Sequence, residues 1–203
     1  MKHIAHQKLN LPAEAPVMAL PAASLFPTSL LPLHIFEKRY RAMLASCLES
    51  NRMFCVAQMK TGVEECHSVA GLGLIRASVE NADGTSNLIL QGLVRVRLTN
   101  FVQHKPYPIA QISELRSTVE NPAEADALGA KLLEICRAAK HKSGDLQVLL
   151  NPQSLHIASP ETISDFVAQA FVADGATRQR IMEELEVCER LRMLIACLRE
   201  EGA

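Results

Sequence analysis

The chain has 203 residues, 48% hydrophobic and 4% aromatic, with no Trp and a formal net charge of −1. That length allows one large or two small domains, with a core built mostly of Leu, Val, Ile, Ala and Met. The near-neutral balance excludes global steering onto nucleic acid or an anionic membrane, and no stretch approaches the ~18 apolar residues of a membrane span.

Residues 1–16 are polar and broken by proline, and predict an N-terminal tail. Lys2 and Lys8 precede an apolar stretch at 15–26, but Pro12, Glu14, Pro16 and Pro21 interrupt it, so it does not read as a signal peptide. A short strand is predicted at 17–20 and a loop or extended segment at 25–31. Pro27 and Pro32 bracket that segment, and each proline pushes its predecessor toward extended geometry. Phe36, Tyr40, Met43, Leu44, Cys47 and Leu48 then fall at helical spacing. This predicts a helix from about 36 to 49, ended by Asn51-Arg52.

A β-rich section follows, with strands predicted at 53–60, 71–79, 87–91, 94–98 and 109–115. Asp83-Gly84 is a favoured hairpin dipeptide. Gly92 reads as a break, after which residues 94–98 alternate in strict period two and place Arg95 and Arg97 on one face.

From Asn121 the spacing becomes helical. Asn121 is a good N-cap, Pro122 suits the first helical position, and Glu124 can complete a capping box. Leu128, Leu132, Leu133, Ile135 and Cys136 carry that helix to about Lys140, with Ser143-Gly144 as its stop. Ser159-Pro160 repeats the cap-then-proline arrangement before Ile163, Phe166, Val167, Ala170 and Phe171, and Asp174-Gly175 reads as the end. A short helix from Thr177 and a longer one follow. Residues 1–116 carry 12 Lys+Arg against 8 Asp+Glu, whereas residues 117–203 carry 9 against 14. The chain therefore divides into a tail at 1–16, a β-rich part with one helix at 17–118 and a helical part at 119–203, with a protease-accessible junction near 116–122.

The six cysteines, at 47, 55, 66, 136, 188 and 197, form no C-x-x-C, and are read as reduced thiols of a cytoplasmic protein. Phosphate-cradling, zinc-protease and nucleophile-elbow motifs are absent. Gly71-Leu-Gly-Leu lacks the third glycine of a dinucleotide fingerprint. His3 with His6, His34, and Cys66-His67 lack the partners a metal site needs. Glu64-Glu65 and Glu183-Glu184 are adjacent pairs whose side chains point apart. Cys55 or Cys66 with a distant histidine would be a nucleophilic pair supported by residue types alone. No cofactor, metal or catalytic residue is expected.

The words Phe26-Pro27, Pro32-Leu33, Phe36-Glu37 and Arg39-Tyr40, with Gly71, Gly92, Arg95, Pro106-Tyr107 and the segment 186–191, resemble the Lon substrate-binding (Lon N-terminal) domain family over roughly residues 17–200. The resemblance implies an α+β fold, a PUA-like β pseudo-barrel followed by an α-helical bundle. It also implies a non-catalytic module that holds unfolded polypeptide or a protein partner. The family's ATPase and protease domains have no counterpart here, so the chain resembles a free-standing member. The alternative reading is an RNA-binding protein of PUA-like fold, with Arg76, Arg95 and Arg97 along one surface; a membrane role is not expected. The signature residues Phe26, Pro27, Pro32, Leu33, Phe36, Glu37, Arg39, Tyr40, Gly92 and Arg95 read as structural, and the binding surface is left unassigned. Phe36 and Tyr40 are expected to plug the barrel–helix junction. Glu37 is expected to pair with Arg41 four residues on, or in a buried pair with Arg39 or Arg95. A polypeptide would lie in an apolar groove between barrel and bundle, or add to an open strand edge.

Overall fold

A computed structural model describes residues 10–63, 65–138 and 158–201. The predicted tail up to residue 9, with His3 and His6, and the predicted helix stop at Ser143-Gly144 lie outside them. Six strands, β1 (Glu14–Leu20), β2 (Leu30–Ile35), β3 (Met53–Gln58), β4 (Val69–Glu80), β5 (Ser86–Gln103) and β6 (Ile109–Leu115), form one mixed sheet. The helices described are α1 (Lys38–Glu49), α2 (Pro122–Ala138), α3 (Pro160–Phe171), α4 (Gly175–Glu183) and α5 (Val187–Glu201). The strand order is β2-β5-β4-β3-β1-β6, with β6 also paired to β5. That extra pairing closes β1, β3, β4, β5 and β6 into a barrel and leaves β2 outside the ring. All neighbours are antiparallel except β1 and β3.

The strand β5 makes this closure possible. Its 18 residues are about three times an ordinary strand. One edge follows β4, while the other serves β2 through residues 86–91 and β6 through residues 95–103. The sequence predicted two strands broken at Gly92; instead one strand runs through, and Gly92 is where it changes partner. The reason lies in the Phe26–Ser29 turn, which crosses the sheet here. Thr28 donates its N–H to Gly92 O at 2.9 Å, and Gly92 donates its own to Ser29 O at 2.8 Å. A Cβ on Gly92 would sit 2.0 Å from Phe26 O, and one on Gly71 would sit 1.9 Å from Leu25 O. Because the obstructing atoms are backbone held at both ends, Gly92→Ala should cost about 1–3 kcal/mol, the scale of overpacking, read as a lowered urea midpoint.

Two further boundaries differ from the sequence reading: where a loop or extended segment was predicted at 25–31, β2 runs over Leu30–Ile35 because it pairs with residues 86–91 of β5, and β1 starts early. β1 begins at Glu14 rather than at 17, because Glu14, Ala15 and Pro16 already pair with β6, and Ala15 is buried. The passage at 116–122 leads from the end of β6 to the start of α2. Thr118 donates to Leu185 O at 2.8 Å and accepts from Val187 N at 2.9 Å, so the strand-to-helix passage is stitched to the α4–α5 connection.

Three clusters make up the core. One lies between α1 and the sheet, around Tyr40, Met43, Leu44, Phe54 and Leu90. A second, of small and branched residues such as Val17, Ala57, Leu72 and Val96, fills the barrel. The third joins α2, α3, α4 and α5, and takes in Phe26 and Val69 from the β part. The caps form as the residue types dictate: Asn121 Oδ1 accepts from Glu124 N at 3.2 Å and Ser159 Oγ from Thr162 N at 3.2 Å. Asp174 does not merely end α3. It caps α4, accepting from Thr177 N at 2.7 Å, and those N–H bonds hold its carboxyl below the usual range.

Candidate functional site

Alternation along β2 sets the geometry of an exposed face. Leu30, Pro32 and His34 point out, while Leu31 and Leu33 are half-buried and Ile35 is 3% exposed. Phe36 continues the outward series at 63% exposure. It was expected to be buried at the head of the helix, but α1 begins only at Lys38, so Phe36 obeys the strand period and turns away from the core. Cross-strand register extends the face: Pro32 lies opposite Ile89 and Ile89 opposite Ala77, while His34 lies opposite Asn87 and Asn87 opposite Val79. Val79 is 65% exposed and Leu30 59%. Between them runs a shallow groove of about 430 Å³ lined by Pro32, Leu33, His34, Ala77, Val79, Asn87, Leu88 and Ile89.

His34 organises this apolar surface. Its Nδ1 lies 2.8 Å from Asn87 Oδ1; an amide oxygen only accepts, so the imidazole carries its proton there. The fixed ring stacks on Phe36 with centroids 6.0 Å apart and an interplanar angle of 21°. Phe36 is thereby held up from the surface without being covered. The outer edge of β2 pairs with no strand among the described residues, but Pro32 sits at its middle and has no N–H to give, which blunts strand addition. The apolar face, more than the edge, is what β2 offers.

The remaining signature residues sit in the Phe26–Ser29 turn, around the head of α1 and on β5. Phe26 is fully buried beneath the helices, 5.5 Å from the Arg95 guanidinium carbon. Pro27 occupies the tight turn, whose Thr28 has φ +65°. Tyr40 is buried, and its hydroxyl donates to Ala19 O at 3.2 Å and accepts from Ala19 N at 3.3 Å. Arg39 lies over that ring at 4.5 Å and pairs with Glu37 at 2.9 Å. Glu37 therefore pairs with neither Arg41 nor Arg95, and its pair is exposed, where it contributes little.

Arg95 goes elsewhere. It is 2% exposed and reaches from β5 into the helices, where Nη1 donates to Asp165 Oδ2 at 2.8 Å and Nε to Met182 O at 3.1 Å. Asp165 Oδ1 accepts from Arg95 Nη2 and, at 3.0 Å, from Arg190 Nη1. Arg190, fully buried, also donates to Ser164 Oγ, Ser117 Oγ and Glu184 O. Burial first and Arg95 second push Arg190 down to about 10, so it stays charged at neutral pH. Sequence reading missed Asp165, and took Arg190 only as part of the family-like segment 186–191. Their signal was position: Arg190 falls three residues after Val187 and four before Leu194, on the buried stripe of α5. The three arginines proposed to line one surface do not, since Arg95 is locked inside while Arg76 and Arg97 are exposed.

Other chemistry finds little support. Burial pushes Cys47 up to about 11 and Cys136 to about 12, and raises Cys55 and Cys66 as well, which disfavours their thiolate forms. Among the described residues no three His, Cys, Asp or Glu side chains gather to hold a metal ion, and no helix is long and apolar enough to cross a membrane.

The profile described as the ATP-dependent protease La (LON) substrate-binding domain matches residues 14–200. The chain is 24% identical over 201 residues to the Lon protease of Dictyoglomus thermophilum, covering 97% of this chain and 25% of that protein. It is 26% identical over 198 residues to Lon protease 2 of Herpetosiphon aurantiacus, covering 93% and 24%. It thus spans about a quarter of the length of the curated relatives it matches. The fold is that of the N-terminal domain of a Mycobacterium avium complex Lon protease, with TM-score 0.75, 17% identity and coverage of 92% of this chain and 98% of that one. A Lon N-terminal domain protein from Xanthomonas campestris superposes with TM-score 0.67 and 19% identity over 90% and 97%.

Proposed function

Since the chain belongs to the LON substrate-binding domain family, we propose that it is a non-catalytic module that holds segments of unfolded polypeptide on the outward face of β2, β5 and β4. The observation that carries this reading is Phe36, a large aromatic side chain 63% exposed and propped on His34 beside an apolar groove. Unfolded chains expose apolar side chains that folded ones hide, and a shallow patch accepts many of them without demanding one sequence. Capture is expected to be weak, with Kd near ~1 μM or above, because the segment loses chain entropy on binding. A cytosolic setting suits cysteines read as reduced thiols.

The nucleic-acid reading, drawn by analogy from PUA-like proteins, loses Arg95 to the ion pair and has few aromatics for stacking. Titration of a fluorescently labelled unfolded protein, with an RNA oligomer run in parallel at two salt concentrations, separates the two. We expect saturable binding of the polypeptide and none of the RNA. Phe36→Ser should weaken that binding about tenfold, the scale of an aromatic hot spot, while moving stability by less than about 0.5 kcal/mol because the side chain is exposed. Salt-sensitive RNA binding with no polypeptide binding would replace this reading by the other.

A further inference from the structure

A second, more enclosed cavity of about 380 Å³ opens where the end of β5 and the start of β6 meet β1 and the β3–β4 connection. Val17, Ala19 and Pro108 form apolar walls. Met59 and Cys66 bring two sulfur-bearing side chains to its lining, and Phe101 and His104 add a stacked ring pair, centroids 5.8 Å apart at 23°. At its rim Glu65 pairs with Lys60 at 3.0 Å through one carboxylate oxygen, which leaves the other to accept a hydrogen bond. Nothing in the reading of the β2 face uses these residues.

We infer that this cavity is a binding site for a small, flat aromatic molecule carrying a hydrogen-bond donor, of the indole or phenol class. The size is that of a small-ligand pocket, apolar with a few converging polar groups. Its lining selects the shape. Polarisable sulfur sits favourably at the edge of an aromatic ring, and the Phe101–His104 pair offers a face for an offset stack. The free carboxylate oxygen of Glu65, on the exposed rim, suits an N–H or O–H donor rather than an anion. A free molecule fits better than a captured side chain, because the cavity is walled by four chain segments and an entering polypeptide must also bring its backbone to the rim.

Indole is the probe, and the chain's lack of Trp makes its emission the ligand's own signal. Titration of the full chain should give saturable binding with Kd of about 0.1–1 mM, as expected for so few atoms. His104→Ala, at an exposed position, should weaken binding about three- to tenfold by removing one ring of the stack. Ala19→Phe should abolish it by filling the space. Phe36→Ser should leave it unchanged, which separates this site from the polypeptide face, so either can fail alone. Absence of saturable binding overturns the inference, as does equal binding by the parent and His104→Ala. Displacement of indole by an unstructured Trp-containing peptide at lower concentrations than free indole requires would assign the cavity to captured side chains instead, and so also overturns it.

Discussion

Asp165→Ala is expected to destabilise the protein by about 3–5 kcal/mol, because it leaves two buried guanidinium groups without their carboxylate. The carboxylate is 2% exposed and bonds Arg95 from the barrel and Arg190 from α5 together. Even intact, the trio holds two positive charges against one negative, and the repulsion of Arg95 is already visible in the lowered Arg190. The folded state without Asp165 must neutralise an arginine, admit water or move α3. Urea denaturation reads the outcome. Replacing all three residues by apolar side chains of similar volume should recover most of the loss, since pairing offsets desolvation rather than exceeding it. A shift below about 1 kcal/mol for Asp165→Ala would mean that the adjoining cleft, of about 420 Å³ and lined by Arg95, Asp165, Thr28 and Ser117, already solvates the arginines.

Tyr40→Ala should cost about 3–5 kcal/mol, the scale of truncating a fully packed aromatic ring. The ring is 4% exposed in the cluster of Met18, Met43, Leu44 and Phe54, and its hydroxyl ties α1 to both backbone groups of Ala19 on β1. Tyr40→Phe keeps the ring and should lose only about 1 kcal/mol. Burial, ahead of any neighbouring charge, raises the phenol, so the hydroxyl stays a donor through the physiological range. A denaturation midpoint for Tyr40→Ala within about 0.5 kcal/mol of the parent's would remove Tyr40 from the core.

Period and capping chemistry carried much of the fold in advance. β1, β3, β4 and β6, both halves of β5, the helix after Phe36, the Asn121 and Ser159 caps and the short-then-long helical end follow from local residue patterns, whereas β2 read only as a loop or extended segment at 25–31. What local patterns could not show was partnership across the chain. Gly92 looked like a strand break because the turn that requires it lies more than sixty residues earlier. The partners of Arg95 were not legible because Asp165 and Arg190 are seventy or more residues away, and their charges dropped out of a helical reading that counts apolar positions. Phe36 was misplaced by two residues of helix boundary, enough to convert a supposed core aromatic into an exposed one. The candidate face was invisible for a related reason: Val79, Ala77 and Ile89 become neighbours of Pro32 and His34 only through cross-strand register.

The most direct test of polypeptide capture on the β2–β5–β4 face is site-specific photocrosslinking to a labelled unfolded protein. The photoreactive residue would replace Val79 on the face, or exposed Arg199 on α5 as the control. Crosslinks from position 79, reduced by Phe36→Ser and rare from position 199, are the predicted result. Equal crosslinking from both positions, or a yield at 79 indifferent to Phe36→Ser, would contradict it.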